Sequence, residues 1–173
     1  MSKKTNRFRT VTVIAFVIYL LILAWVVLFK ANPNLLSVDL SARKESINLV
    51  PLQRSLGENG RLRLGDLFYN VLGFIPLGVF VSMLAKKRRL GNAILLALII
   101  SVVFEAAQYF LSLGTPDITD IITNTLGVVV GYFVWLFARL IFRSKTEPVL
   151  STLALISELI AIGFYLKLLL SRG

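Results

Sequence analysis

AILLALIISVVFEAAQYFLSL (Ala93–Leu113), GTP (Gly114–Pro116), Asp117 and ITDIITNTLGVVVGYFVWLFARLI (Ile118–Ile141) decide how this chain folds. Each apolar run is long enough to cross the roughly 30 Å hydrocarbon core of a bilayer as a helix. The joint between them is too short for anything but a tight reversal, so the two helices are antiparallel neighbours. Both runs nevertheless carry polar groups: Glu105 and Gln108 in the first, Asp120 and Asn124 in the second, with Asp117 at the joint. An ionisable side chain inside the bilayer costs roughly 2.5–3.5 kcal/mol on insertion scales. Several of them together point to a buried polar site built by spanning helices.

The rest of the chain extends the pattern. It has 173 residues, 57% hydrophobic, with a mean hydropathy of +0.81 and the apolar residues blocked into long runs. The expected fold is an all-α polytopic transmembrane helix bundle of about five spans, forming one domain over 1–173. The spans fall at about 11–29, 67–85, 93–113, 118–141 and 149–170, with a long polar connection at 30–66. The first run, Val11–Phe29, is too long for the core of a signal peptide and is followed by no small-residue cleavage site, so it reads as an uncleaved span. Pro76 interrupts the second run, which membrane helices tolerate when neighbours satisfy the freed carbonyl. The patch Ile47–Leu52 is too short to span and is expected either to dip into the interface or to pack on the bundle.

Basic residues set the orientation. Lys3, Lys4, Arg7 and Arg9 precede the first span, Lys86–Arg89 follow the second, and Arg139, Arg143 and Lys145 flank the end of the fourth. The turn at 113–117 holds none, and the basic residues of the long loop are dispersed among Asp39, Glu45, Glu58 and Asp66. The positive-inside rule then places the N-terminus in the cytoplasm and the long loop outside. The net charge of +10 is this rule at work and not a nucleic-acid footprint; anionic lipid head groups are the expected partners. With no Cys and no His, disulfides, thiol chemistry and Cys- or His-ligated zinc are excluded. No cofactor or resident metal is expected.

Rise along a helix gives depth. Asn70 lies roughly 6 Å inside the second span, and Glu105 and Gln108 lie roughly 8–12 Å below the outer end of the third. Asp117, Asp120 and Asn124 share one face of the fourth. Three helices thus place polar groups in the outer half of the membrane, and Glu105/Gln108 are expected to face Asp120/Asn124 at matching depth. A purely structural network is the competing reading for the carboxylates. Asp66 and Asp117 sit near helix starts, where a carboxylate suits the dipole, and read equally well as structural. Gly127 and Gly131 read as helix packing, and lone Glu158 as a helix–helix contact. Arg54, Arg61 and Arg63 are either solvated loop charges or an anion clamp above the acidic cluster.

Taken in order, Asn48-Leu-Val-Pro51, Asn70-Val-Leu-Gly73-Phe-Ile-Pro76-Leu-Gly78, Glu105-Ala-Ala-Gln108, Asp117-Ile-Thr-Asp120 and Asn124-Thr-Leu-Gly127 with Gly131 resemble the VanZ family of small bacterial membrane proteins over roughly residues 45–135. The resemblance implies an accessory role in resistance to glycopeptide antibiotics, teicoplanin more than vancomycin. Those drugs bind the stem peptide of lipid-linked wall precursors outside the cell, and teicoplanin carries an acyl chain. In one respect the chain departs from the family, which often carries an Arg just before the first Asp of the turn. Here Thr115-Pro116 fill that stretch, so either an outer-loop Arg supplies the charge or the likeness in ligand is loose.

Three functions are compatible with these residues. In the first, the protein binds a lipid-linked wall precursor or a lipoglycopeptide at the outer leaflet, with Asn70, Glu105, Gln108, Asp120 and Asn124 lining a polar pocket and Asp117 at its rim. In the second, it is an intramembrane enzyme on a lipid-linked phosphate, with Glu105 and Asp120 as a general acid/base pair or as ligands to Mg²⁺ or Ca²⁺. In the third, it is a proton-coupled transporter; five spans show no inverted repeat, and a homo-oligomer would have to supply one.

Overall fold

The computed structural model describes residues 3–29, 46–56, 62–85 and 90–170. Arg61, the Lys86–Arg89 tract, Arg172 and most of the expected outer loop lie outside the described residues. The architecture is all-α: α1 (Lys3–Phe29), α2 (Leu64–Leu84), α3 (Leu90–Phe110), α4 (Ile118–Phe142) and α5 (Thr146–Leu170). By length and apolarity four helical runs qualify as membrane crossings, where about five were expected: Phe8–Phe29, Leu64–Leu84, Leu90–Phe110 and Ile118–Gly163. The last takes the expected fourth and fifth spans together, because a single 3-10 turn at Arg143–Lys145 joins α4 to α5 across the expected gap at 142–148. At 46 residues this run would be about 69 Å long if straight, twice the bilayer core. It bends at Arg143, whose φ of 48° is left-handed, and α5 turns back along α1. Ser151 there hydrogen-bonds Thr12 at 2.7 Å, and seven residues further along both helices Glu158 comes within electrostatic range of Tyr19.

The helix ends follow from local chemistry. Asp117 caps α4, its carboxylate accepting from the Thr119 N–H at 2.8 Å. α3 stops at Phe110, three residues short of the expected Leu113, although the apolar run continues. Ser112 takes a left-handed conformation (φ 52°), and the Leu113 N–H reaches back to the Gln108 carbonyl at 2.9 Å. This is the closing geometry of a Schellman turn, with Leu113 buried as its hydrophobic contact.

The closest helix pair is not adjacent in sequence. α2 and α4 run parallel, and their backbones touch along Gly78, Gly127 and Gly131. A Cβ on Gly131 would run into the Ile75 carbonyl oxygen, one on Gly127 into that of Val71, and one on Gly78 into that of Val128. Pro76 sits within this seam without ending α2. α1 packs antiparallel against α2 through Ala15, Tyr19, Leu23 and Val27, one residue per turn on a single face. The Tyr19 hydroxyl donates to the Gly73 carbonyl at 2.7 Å, and its ring lies 5.6 Å from Phe80. Phe74, Leu77, Ala93, Ala97 and Val128 complete the core. The outer faces keep large side chains exposed, such as Leu21, Leu95, Phe137, Leu140 and Ile160. A soluble protein does not present apolar surface on this scale, and here it is the surface that meets lipid. The chain is a multi-pass membrane protein.

Candidate functional site

The site lies at the end of the bundle where α2 and α4 begin, and a strap of chain closes it. Residues 46–56 run from α3 across the start of α4 toward α2. Asn48 fixes one end: its N–H donates to the Pro116 carbonyl (2.9 Å), and its carbonyl accepts from the Ile118 N–H (3.0 Å). Its side-chain amide donates to the Asp117 carboxylate at 3.0 Å. Further along, the Leu52 N–H donates to the Thr119 hydroxyl at 2.9 Å. At the other end the Arg63 N–H donates to the Ser55 carbonyl (2.7 Å), and the Arg63 guanidinium donates to the Arg54 carbonyl (2.7 Å).

Asp117 therefore does three things. It caps α4, holds Asn48 of the strap, and presents its own N–H to the Glu105 carboxylate at 2.9 Å. Asn48, Glu105, Asp117 and Thr119 are all buried, and in a low-dielectric setting such a network is strong only when each member is satisfied. Asp120, one turn further on, is half-buried and faces α2, where its carboxylate accepts from the Asn70 amide at 2.7 Å. Thr123 also lies within reach of Asn70, at 3.4 Å.

This placement differs from the expected facing of Glu105/Gln108 with Asp120/Asn124. The Asp120–Asn124–Gly127–Gly131 stripe is the face on which the glycines bring α2 into contact, so Asp120 meets Asn70 and not α3. Gln108 turns toward α1, where its amide donates to the Val27 carbonyl at 2.7 Å. Asn124 is buried, and its amide oxygen has no hydrogen-bond partner among the described residues.

Two chambers flank the segment 114–118. The larger, about 1050 Å³, is lined by Asn70, Gln108, Asp117 and Asp120, and by Arg54 and Arg63 from the strap and its partner segment. Val26, Leu72 and Tyr69 give it an apolar wall toward the membrane-facing surface. The smaller, about 310 Å³, is an apolar groove between the strap residues Ile47 and Leu49 and the α3 residues Val102, Ala106 and Tyr109. Glu105 borders this groove and not the larger chamber, so the structure does not bring Glu105 and Asp120 into one cavity. The apolar patch 47–52 covers the groove and does not cap the polar chamber. Arg54 and Arg63 line the chamber together with Thr115. Among the described residues no group of three or more acidic side chains is arranged to hold a metal ion.

Residues 16–143 match the VanZ/LLP1 family. The chain belongs to the VanZ/LLP1 family. It is also 36% identical over 114 residues to "Protein VanZ" of Enterococcus faecium, an alignment that covers 66% of this chain and 66% of that one. No solved structure matches it. The VanZ/LLP1 match runs from the middle of α1 to the bend at Arg143, so it contains both chambers and the strap and leaves α5 outside.

Sequence reasoning missed Asn48 as a structural member of the site, quoting it only as part of a loop motif, and missed Thr119 and Thr123. The signal was present in the spacing: Thr119 and Thr123 fall one turn apart on the face that carries Asp120.

Proposed function

We propose that this VanZ-like protein binds an amphiphilic cell-envelope molecule, a lipid-linked wall precursor or an acylated glycopeptide, in the larger chamber at the outer face of the membrane, and thereby gives an accessory resistance to teicoplanin-type antibiotics. The observation that carries this is the mixed lining of the chamber. Guanidinium groups, carboxylates and amides converge in a cavity whose remaining wall is apolar. Such a lining matches a molecule with a sugar, peptide or phosphate head and a hydrocarbon tail. Asp120 and Asp117 accept hydrogen bonds from hydroxyl and amide groups. Gln108 and Asn70 orient the head, and Arg54 with Arg63 receive its anionic part. Asn124, one turn below Asp120, is buried in the α2–α4 seam and does not line the chamber. Glu105 acts one step back, holding the turn that presents Asp117. The positive-inside rule supports the outward orientation.

The test is susceptibility to teicoplanin and vancomycin of a sensitive Gram-positive host expressing the intact chain, Asp120→Asn or Glu105→Gln at matched membrane abundance. Asp120→Asn keeps an oxygen for Asn70 but removes the charge. Protection against teicoplanin should fall by about tenfold, the size of one charge-assisted hydrogen bond at ~1.5 kcal/mol. Glu105→Gln keeps an acceptor for the Asp117 N–H and should retain most of the protection. Full protection by Asp120→Asn would remove the chamber from the activity, and no protection by the intact chain would detach the antibiotic role from this member.

A further inference from the structure

The far end of the bundle carries a third cavity that the proposed activity does not use. It lies at the corner where α4 gives way to α5, encloses about 450 Å³, and is lined by Trp135, Arg139, Arg143, Ser144, Thr146 and Glu147. Trp135, Arg139 and Arg143 are spaced four residues apart and so form one stripe along the last turns of α4. The Arg139 guanidinium stacks over the Trp135 ring, 5.5 Å from its centre, and Trp135 is itself only 2% exposed. Arg143 sits at the left-handed bend, whose carbonyl accepts from the Thr146 hydroxyl at 2.7 Å.

Among the described residues neither Arg139 nor Arg143 forms an ion pair. Glu147, the one acid in the lining, has a partner of its own. Two guanidiniums therefore share the cavity with a single carboxylate, and its lining is net positive. The surface beside it is apolar and open, with Leu140 and Leu136, one and two turns before Arg143 on the same face of α4, 71% and 37% exposed. This is also the end at which α1 begins, among Lys3, Lys4, Arg7 and Arg9, and at which α2 ends before Lys86–Arg89.

We propose that the α4–α5 corner is a binding site for an anionic phospholipid, whose phosphate is received by Arg139 and Arg143 and whose acyl chains lie along the Leu136–Leu140 surface. The volume suits a small polar head group. A pair of guanidiniums recognises a phosphodiester, and basic pockets between helices near the membrane surface select anionic over zwitterionic lipids. A soluble phosphate compound shares the head-group chemistry but makes no use of the adjacent apolar surface, so the lipid is the occupant.

The test is lipid retention by the full chain in phosphatidylcholine nanodiscs containing a minor fraction of phosphatidylglycerol, read by native mass spectrometry after release. The intact chain should retain phosphatidylglycerol over phosphatidylcholine, and the Arg139→Gln/Arg143→Gln double variant should lose about tenfold of that preference. Lys145→Gln removes a neighbouring charge outside the cavity and should change it less than twofold. Ser144→Trp fills the cavity while keeping both charges and should lower retention as the double variant does, which keeps the site testable if the double variant cannot be purified. Equal retention by the intact chain and either cavity variant overturns the site. So does an equal loss in Lys145→Gln, which would mean that bulk charge alone gathers the lipid. Displacement of phosphatidylglycerol by an equal concentration of free glycerol phosphate overturns the assignment to a lipid.

Discussion

Replacing Gly131 by Ala will lower the thermal stability of the detergent-purified bundle by roughly 10 °C, and Leu at the same position will leave no monodisperse protein. A methyl group on Gly131 has nowhere to go. It meets the Ile75 carbonyl oxygen, and the Gly78 Cα lies only 3.0 Å away. These are backbone atoms of a packed helix and cannot rotate aside. α2 must move as a body, which also disturbs the contacts of Gly127 with Val71 and of Gly78 with Val128. Overpacking of this kind costs up to about 3 kcal/mol, and for a chain of this size each kcal/mol is worth roughly 2–4 °C. The control lies in the same protein: a Cβ at Gly163 of α5 meets nothing within 4 Å, so Gly163→Ala should leave the transition unchanged or raise it slightly. Unchanged melting of Gly131→Ala, measured by the temperature dependence of the monodisperse peak in size-exclusion chromatography, would rule out the close α2–α4 seam.

Asp117→Ala will free the strap. The substitution removes the cap of α4, worth about 1 kcal/mol. It also leaves the buried Asn48 amide without its acceptor, at a further ~1–3 kcal/mol. The strap is held at that end by little else than the two backbone hydrogen bonds of Asn48 with Pro116 and Ile118. Trypsin should therefore cut after Arg54 several-fold faster in Asp117→Ala than in the intact chain, because Ser55 on the far side of the scissile bond is buried while the strap is seated. Asp117→Asn keeps an oxygen for the Thr119 N–H and should cut at an intermediate rate. Identical cleavage in all three would mean that the strap is anchored elsewhere and that Asp117 belongs to the chamber alone.

The helices were legible in the sequence because membrane-length apolar runs leave little choice of structure, and because Gly114-Thr115-Pro116 and Asp117 are a recognisable stop and start. The family was legible from the order and spacing of short motifs. What the one-dimensional pattern lacked was rotation. Depth along an axis follows from residue number, and Glu105, Gln108, Asp120 and Asn70 fall toward one end of the bundle. Which neighbour each would face depends on how α4 is turned, and that is set by the Gly127/Gly131 seam with α2. The same seam explains why Asp120 pairs with Asn70 and why Glu105 is left to the turn. The spans at 118–141 and 149–170 were taken as separate, yet a single 3-10 turn at Arg143–Lys145 joins α4 to α5 without a gap in the helix.

The α2–α4 seam also fixes an order of assembly. Gly78 and Gly131 are about fifty residues apart in the chain, so during synthesis α2 emerges several seconds before its closest neighbour, at roughly 5–20 residues per second. Through that interval its glycine face is bare to whatever stands beside it, lipid or the insertion machinery, and α3 must enter the membrane without yet having α4 to lean on. The bundle is therefore committed late. A nascent chain halted after α3 has every apolar residue it needs to remain in the bilayer but not the helix that closes its tightest contact, which makes such a fragment a natural target for quality control by membrane proteases.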